Sequence, residues 1–254
     1  MKSLDPELSK YFARFYDSLE LKKKYKQELD FIRAIVDRYN PQNKRTLVLN
    51  CGSGLLLAKL KKIGFEVSGL EKNKELIKIA KQRDPNLEIF NNDLADYKTD
   101  KRFDLILYLS KNINLNSDEQ ILSQNLAKIY TWLNNKGLLI FDLGLLNKEE
   151  LKSNVNLVDY YKDKEQNIQM ARISQWDKKS KAKNKIKSNY LVLTKMGEEI
   201  NFFVEENEMT IFEIDKVEAI MEQLGYKVRI YNGFDSNDLS SNSKNPVFVG
   251  QVFY

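Results

Sequence analysis

Asn50-Cys51-Gly52-Ser53-Gly54 stands between an apolar, β-branched run (TLVL, residues 46–49) and a helix-patterned run (LLLAKLKKIG, residues 55–64). A strand that ends in glycines before a helix lets backbone approach a ligand closely, and the helix N-terminus turns its free N–H groups toward it. Glu71 closes the next strand-like run, FEVSGL, where a carboxylate is placed to accept hydrogen bonds from ribose hydroxyls. Asp93-Leu94 follows the third such run, LEIF. One turn of this kind, taken alone, also fits a tight strand-to-helix connection that holds nothing. The order of three such segments is what points to a nucleoside pocket.

What is missing narrows the chemistry further. The chain has no histidine, which removes histidine-type zinc sites, Ser-His-Asp and Cys-His nucleophiles, and any imidazole base. Cys51 is the single cysteine, so no intramolecular disulfide can form, in keeping with a cytoplasmic location. The opening residues, MKSLDPELSKYFARF, show no signal-peptide pattern, and no apolar run approaches the ~20 residues of a membrane span. At 254 residues, 42% hydrophobic and 30% charged, the chain suits one sizeable domain, or one core domain that carries an inserted lobe. The net charge of +5 includes one dense basic stretch, residues 177–187 (DKKSKAKNKIK), with no aromatic residue interleaved for base stacking. It reads as a solvated hairpin or loop, and nucleic acid is not expected as a partner.

The elements that must position these residues follow from hydrophobic periodicity. Residues 21–39 place Tyr25, Leu29, Ile32, Ile35 and Val36 on one helical face, and Asn40-Pro41 stops the helix. Strands at 46–49, 65–70, 87–90, 103–109 and 137–143 alternate with helices at 55–64, 73–83 (Asn73 as N-cap) and 117–132. The run FDLILYL at 103–109 is nearly continuous in its apolar residues, as expected when helices cover both faces of a sheet. Such alternation predicts an α/β fold, a doubly wound and mostly parallel sheet of seven strands. Three alternating runs between about 169 and 212 (MARISQW, IKSNYLVLT, EINFFVEENEMTIF) predict an inserted antiparallel β meander. A helix at 213–224, ended by Gly225, and strands at 226–231 and 246–254 complete the core, with the polar loop FDSNDLSSNSKN between the last two. The expected division is therefore residues 1–150 and 213–254 as core with a helical N-terminal cap, and 160–212 as a lobe over the acceptor site.

These ordered segments resemble the motifs of class I S-adenosylmethionine-dependent methyltransferases, whose first motif runs from an acid through glycines to CGTG or CGSG. The likeness covers about residues 11–143 well, and the last two strands fit the family's reversed final strand. The meander is similar to the small-molecule branch, which includes nucleotide-linked aminosugar N-methyltransferases and glycine N-methyltransferase relatives. Phe12-Ala13-Arg14-Phe15-Tyr16-Asp17 is similar to the aromatic segment that covers the cofactor in the aminosugar enzymes. The resemblance implies S-adenosylmethionine as cofactor, with S-adenosylhomocysteine as product. Asn50, Gly52 and Gly54 would pass its methionine part and Glu71 would bind its ribose, with Cys51 and Lys72 also among the cofactor-binding residues. Asp93 would accept from the adenine amino group, with Leu94 beside it. Leu109 and Ser110 would lie beneath the sulfonium, and Tyr16 would close over the site. Val48 stands where the family usually has an acid, and Asn50 where it usually has its first glycine. Both departures imply a weaker grip on the cofactor or altered chemistry at the sulfonium. After the fourth strand LSKNINLN replaces the commoner LGNSLHHL, so Asn114 stands where a histidine often does.

Methyl transfer does not require histidine. The sulfonium is an activated leaving group, and displacement gains most from holding the nucleophile ~3–3.5 Å away and in line. A neutral amine needs no base beforehand, so the composition leans toward N-methylation of a small-molecule acceptor. Tyr16, Asp142 and Asn114 are the candidate catalytic residues, and Asp142 is the best-placed carboxylate, at the end of the fifth strand. Asn112, Arg172 and Gln175 are further polar candidates. Each has a bland counterpart: Tyr16 as a packing aromatic, Asn112 and Asn114 as caps of loop backbone, Arg172 as partner of an acid on a neighbouring strand. Two other readings stay open, an RNA or protein methyltransferase using the basic stretch, and a degenerate fold serving as a binding subunit or for non-methyl-transfer chemistry. No metal is expected, and a homodimer is compatible with the sequence.

Overall fold

The computed structural model describes residues 13–15, 17, 25–40, 44–144, 157–163, 167–177, 184–235 and 245–254. Helix α1 (Tyr25–Tyr39) leads into β1 (Arg45–Leu49), α2 (Leu55–Lys62), β2 (Glu66–Leu70), α3 (Lys74–Arg83), β3 (Glu88–Phe90) and β4 (Phe103–Tyr108). A 3-10 turn at Asn112–Leu115 precedes α4 (Glu119–Trp132) and β5 (Leu133–Asp142). Four strands follow, β6 (Leu157–Asp163), β7 (Ile168–Asp177), β8 (Lys185–Met196) and β9 (Glu199–Thr210), and then α5 (Ile214–Gln223), β10 (Lys227–Tyr231) and β11 (Val247–Gln251).

The first sheet has seven strands in the order β10-β11-β5-β4-β1-β2-β3. β1 pairs in parallel with β2 and β4, and β4 with β5, while β11 runs antiparallel to both β5 and β10. All six residues of β4 are buried, which is why that run shows no alternation; its one charge, Asp104, accepts from the Arg45 amide and from Asn134. One side of the sheet packs on α4 and α5 through Leu126, Ile129, Trp132, Val217 and Met221. The other packs on α1 and α2 through Ile32, Ile35, Val36, Leu57 and Leu60. Each fully buried aliphatic side chain here contributes about 1.5–3 kcal/mol. Local signals set the helix starts: Asn73 accepts from the amides of Glu75 (2.9 Å) and Leu76 (3.3 Å), and Asp118 from that of Ile121 (2.9 Å).

Two sequence expectations need correction. The meander has four strands, because β6 pairs antiparallel with β7 along Leu157↔Ser174 to Asp163↔Ile168. Its sequence, LVDYYKD, carries three charges and offers no clean alternation, and its pairing comes from β7 rather than from its own pattern. β5 begins at Leu133, earlier than residue 137, where the register against β4 shifts between Phe103 and Leu105. That irregularity lets the polar Asn134-Asn135-Lys136 extend the strand beyond its apolar part. The basic stretch 177–187 is the β7–β8 connection, of which residues 178–183 lie outside the described residues, as do 236–244 of the polar loop. Among the described residues no helix is long and apolar enough to cross a membrane.

Candidate functional site

In an open α/β sheet the ligand crevice lies at the carboxyl ends of the strands, where the order reverses. Here that point is the β1/β4 boundary, and a cavity of about 340 Å³ occupies it. The turn after β1 supplies Asn50, Cys51, Gly52 and Ser53, and the end of β4 supplies Leu109, Ser110 and Asn112. Glu71 and Lys72 come from the end of β2, and Val48, Leu49, Leu56 and Leu76 give apolar wall.

The backbone of this turn is unusual. Asn50 (φ 51°), Gly52 (φ 57°) and Gly54 (φ 71°) are all left-handed. Asparagine is among the few non-glycine residues that tolerate this conformation, which is a physical reason for Asn50 to replace a glycine there. Gly52 has open space where a Cβ would stand, so the cavity reaches its backbone, whereas a Cβ on Gly54 would meet Ala80 Cβ at 2.8 Å. Gly54 thus serves the packing of α2 on α3, and it does not line the cavity. At the end of β4, Ser110 (φ 63°) and Lys111 (φ 58°) are consecutive left-handed residues, a strained arrangement of a kind concentrated at functional sites. The Lys111 amide donates to Asp142 Oδ1 at 3.0 Å, which anchors that strained turn.

Glu71 is buried and braces the site from below. Its Oε2 accepts from the Gly52 amide and its Oε1 from the Asn73 amide, each at 2.9 Å. Carboxylate oxygens carry further lone pairs for a ligand. Asp93 accepts from Lys72 Nζ at 2.9 Å and from the Ala95 amide at 3.3 Å. Partial burial pushes its carboxyl up, but the Lys72 hydrogen bond and the neighbouring amides outweigh this and hold it below the usual carboxylate range. Burial pushes the Cys51 thiol far up, so it meets the cavity as a neutral group.

Sequence reasoning named eight of the residues that line the cavity as candidates (Asn50, Cys51, Gly52, Glu71, Lys72, Leu109, Ser110 and Asn112) without finding the latch across it. Arg83, at the end of α3, donates to the Ser53 carbonyl and to Asp17 Oδ1, the latter at 2.5 Å, and Asp17 itself lines the cavity. Asp17 ends the aromatic segment singled out by resemblance, while Tyr16 lies outside the described residues. No local pattern reveals a pair so distant in sequence. Leu94 is buried in the core on the other side of the sheet, and neither it nor Asp93 lines this cavity.

The remaining candidates sit elsewhere. Asn114 is fully buried: its Nδ2 donates to the carbonyls of Gly144 (3.1 Å) and Thr210 (2.8 Å), and its Oδ1 accepts from the Gly144 amide (2.8 Å). It ties the end of β5 to the end of β9. Asn112 donates to the Leu109 carbonyl at 2.7 Å. Arg172 pairs with Asp159 on β6, Nε at 3.0 Å and Nη2 at 2.5 Å from Oδ2, and stacks near Phe15 and Tyr190. The Gln175 side chain lies outside the described residues. Asp142 is buried at the base of a second hollow of about 620 Å³, lined also by Gln27, Glu28, Ser110 and Asp235. Ser110 borders both hollows. Among the described residues no cluster of side chains suited to a metal ion occurs.

A family model described as a methyltransferase domain matches residues 47–141, the span from β1 to β5. A relative from Geobacillus sp. (strain WCH70), named as a methyltransferase, is 28% identical over 52% of this chain and 56% of its own length. One from Bacillus subtilis (strain 168), also named as a methyltransferase, is 23% identical over 94% of this chain and 95% of its own. A dTDP-3-amino-3,6-dideoxy-α-D-glucopyranose N,N-dimethyltransferase of Streptomyces fradiae is 29% identical over 36% of each chain. The chain thus spans little more than half the length of the Geobacillus relative. In fold it is similar to an S-adenosylmethionine-dependent methyltransferase of Clostridium acetobutylicum ATCC 824 (TM-score 0.77, 18% identity, 96% and 98% of the two chains). It is also similar to the sugar N-methyltransferase KedS8 of Streptoalloteichus sp. ATCC 53650 (TM-score 0.79, 17% identity, 94% and 93%). The turn, the cavity at the reversal of strand order and the matched model agree: residues 47–141 of this chain match a methyltransferase domain.

Proposed function

We propose that this protein transfers a methyl group from S-adenosylmethionine to the nitrogen of a small amine. The cofactor, when bound, supplies an electrophilic methyl on a sulfonium. The cavity fits that group: backbone is accessible at Gly52, Glu71 has lone pairs to offer, and apolar walls stand at Val48, Leu56 and Leu109. Asn50, Cys51, Gly52, Ser110 and Leu109 would hold its methionine end, and Glu71 and Lys72 its ribose. Asp93, freed from Lys72, would meet the adenine edge. Tyr16 would close the site from the N-terminal segment, beside the Asp17–Arg83 latch.

The observation that carries the choice of an amine is the second hollow. It meets the cofactor cavity at Ser110, and the three carboxylates of Glu28, Asp142 and Asp235 that line it outnumber its one cation, Lys111. Carboxylates draw in a protonated amine, and Asp142 can pass its proton to water before the nitrogen attacks. Aminosugar and sugar N-methyltransferases among the similar proteins support the same acceptor class. With Asn114 fastened to backbone on both sides, its role is to position, seating the lobe of residues 160–212 over the acceptor.

Incubation with methyl-labelled cofactor and a panel of amines, alcohols and carbon acids tests this reading. Label should appear on amines, and Asp142→Asn should lower kcat/KM by roughly 10²-fold or more. Label confined to oxygen or carbon acceptors would reject it.

A further inference from the structure

We infer that the outer face of the four-stranded sheet is the contact surface between two copies of this chain. Strand pairing puts Tyr160, Ala171, Leu193 and Phe202 in one row across β6–β9, and Val158, Ile173, Leu191 and Val204 in the next. The alternate residues Met170, Val192, Thr194 and Ser174 are buried against the rest of the protein, so these two rows point outward. Neither row contains a charge.

The outward residues are exposed to a degree that water disfavours. Val158 is 64% exposed, Tyr160 52%, Leu193 39%, Ile200 69%, Phe202 58% and Val204 55%. Other large exposed apolar residues among those described, such as Ile63, Leu115 and Tyr254, fall on separate elements. At roughly 100 Å² each, the six present on the order of 600 Å² of apolar surface, at the upper end of what monomers show as a single patch. With Ala171, Ile173 and Leu191 between them, the face comes near the ~800 Å² per partner of a standard stable interface.

The pattern also fits its own copy. A two-fold axis lying between the sheets, running across the strands and between the two rows, sets each row on the other row of the partner. Tyr160 then lies over Val158, Ala171 over Ile173, Leu193 over Leu191, and Phe202 over Val204, so that large side chains oppose smaller ones at three of the four places. The same axis brings the Lys195 end of one sheet over the Glu206 end of the other, since the two residues lie beyond opposite rows. Two open sheets packed face to face make a sandwich with interior spacing of about 10 Å.

Sedimentation equilibrium of the full chain tests the inference. The expected species at micromolar concentration has twice the 29.8 kDa mass of one chain. Phe202→Glu, and independently Tyr160→Lys on the opposite side of the face, should each weaken association by about 30-fold or more. Ile63→Glu, a change at a separate exposed apolar residue, should leave the mass unchanged. Circular dichroism matching the unaltered chain shows that a variant is folded. A monomer at all concentrations up to 100 µM (roughly the weak limit for a standard-size interface) overturns the proposal. So does a dimer that survives both substitutions in folded protein.

Discussion

In the seven-stranded sheet Ile106 sits in a strand buried on both faces, whereas in the four-stranded sheet Leu193 is exposed between the buried Val192 and Thr194. The first sheet is held by helices on either side, so every residue of its middle strands is constrained by packing. The second is held from one side, by alternate residues and a few polar links. Its inner face fixes where it sits; its outer face is left to other partners. On the function proposed above, the cavity at the glycine turn, which grows out of the rigid sheet, takes the cofactor, and the second sheet is seated toward the acceptor side through Asn114.

Direct truncation gives the largest contrast. Ile106→Ala should cost about 2–5 kcal/mol through lost burial and the cavity left behind. Leu193→Ala should cost less than about 1 kcal/mol in the monomer. Urea denaturation of both variants measures the difference, and equal costs would break the contrast between the sheets.

Next in size is the brace beneath the cavity. Glu71→Gln puts an amide NH₂ against the Gly52 or Asn73 N–H, leaving a buried donor unmet at about 1–3 kcal/mol. Calorimetric affinity for S-adenosylhomocysteine should fall at least about tenfold. Undiminished affinity would show that the glycine turn holds its shape without the carboxylate.

Asn114→Ala removes the bonds that join β5 to β9 and should cost about 1–2 kcal/mol. Its sharper signature is a lower kcat/KM for the acceptor with S-adenosylhomocysteine affinity unchanged. Equal loss in both would mean that the second sheet supports the cofactor cavity as well.

The smallest effect belongs to the exposed Lys72 and the half-buried Asp93. The Asp93 carboxyl is held below its unfolded value near ~3.9, so its stabilisation is present above that pH and lost as pH falls through the folded value. Lys72→Met removes the main downward influence, so the loss should begin at higher pH. With solvent screening the change should stay below about 1 kcal/mol, read as a small upward shift of the acid-unfolding midpoint.

The parts of the site that were legible in the sequence are those with local causes. Asn73 shows its capping role because a short polar side chain before a helix can reach amides two and three residues on. The turn at Asn50–Gly54 is visible because glycines between a strand and a helix are costly unless backbone geometry needs them. β6 was not legible, since Asp159 and Lys162 obscure its period, and Asp159 is matched by Arg172 on the next strand. Ser110 and Lys111 gave no sign of left-handed backbone, because neither residue type favours it; the hydrogen bond that the Lys111 amide donates to Asp142 on the adjacent strand helps hold it.

By itself, then, the order of residues determined the strand-helix alternation, the glycine turn and the pair of acids that follow it, because hydrophobic period and backbone permissiveness act over a few residues. Tertiary structure alone decided that Arg83 would latch Asp17 to the turn, that Asn114 would join two sheets, and that Asp142 would face a hollow sharing Ser110 with the cavity at the glycine turn. Those contacts join residues 30 to 96 positions apart or meet across a shared wall. No local preference encodes such encounters; they exist only once the strands have chosen their neighbours.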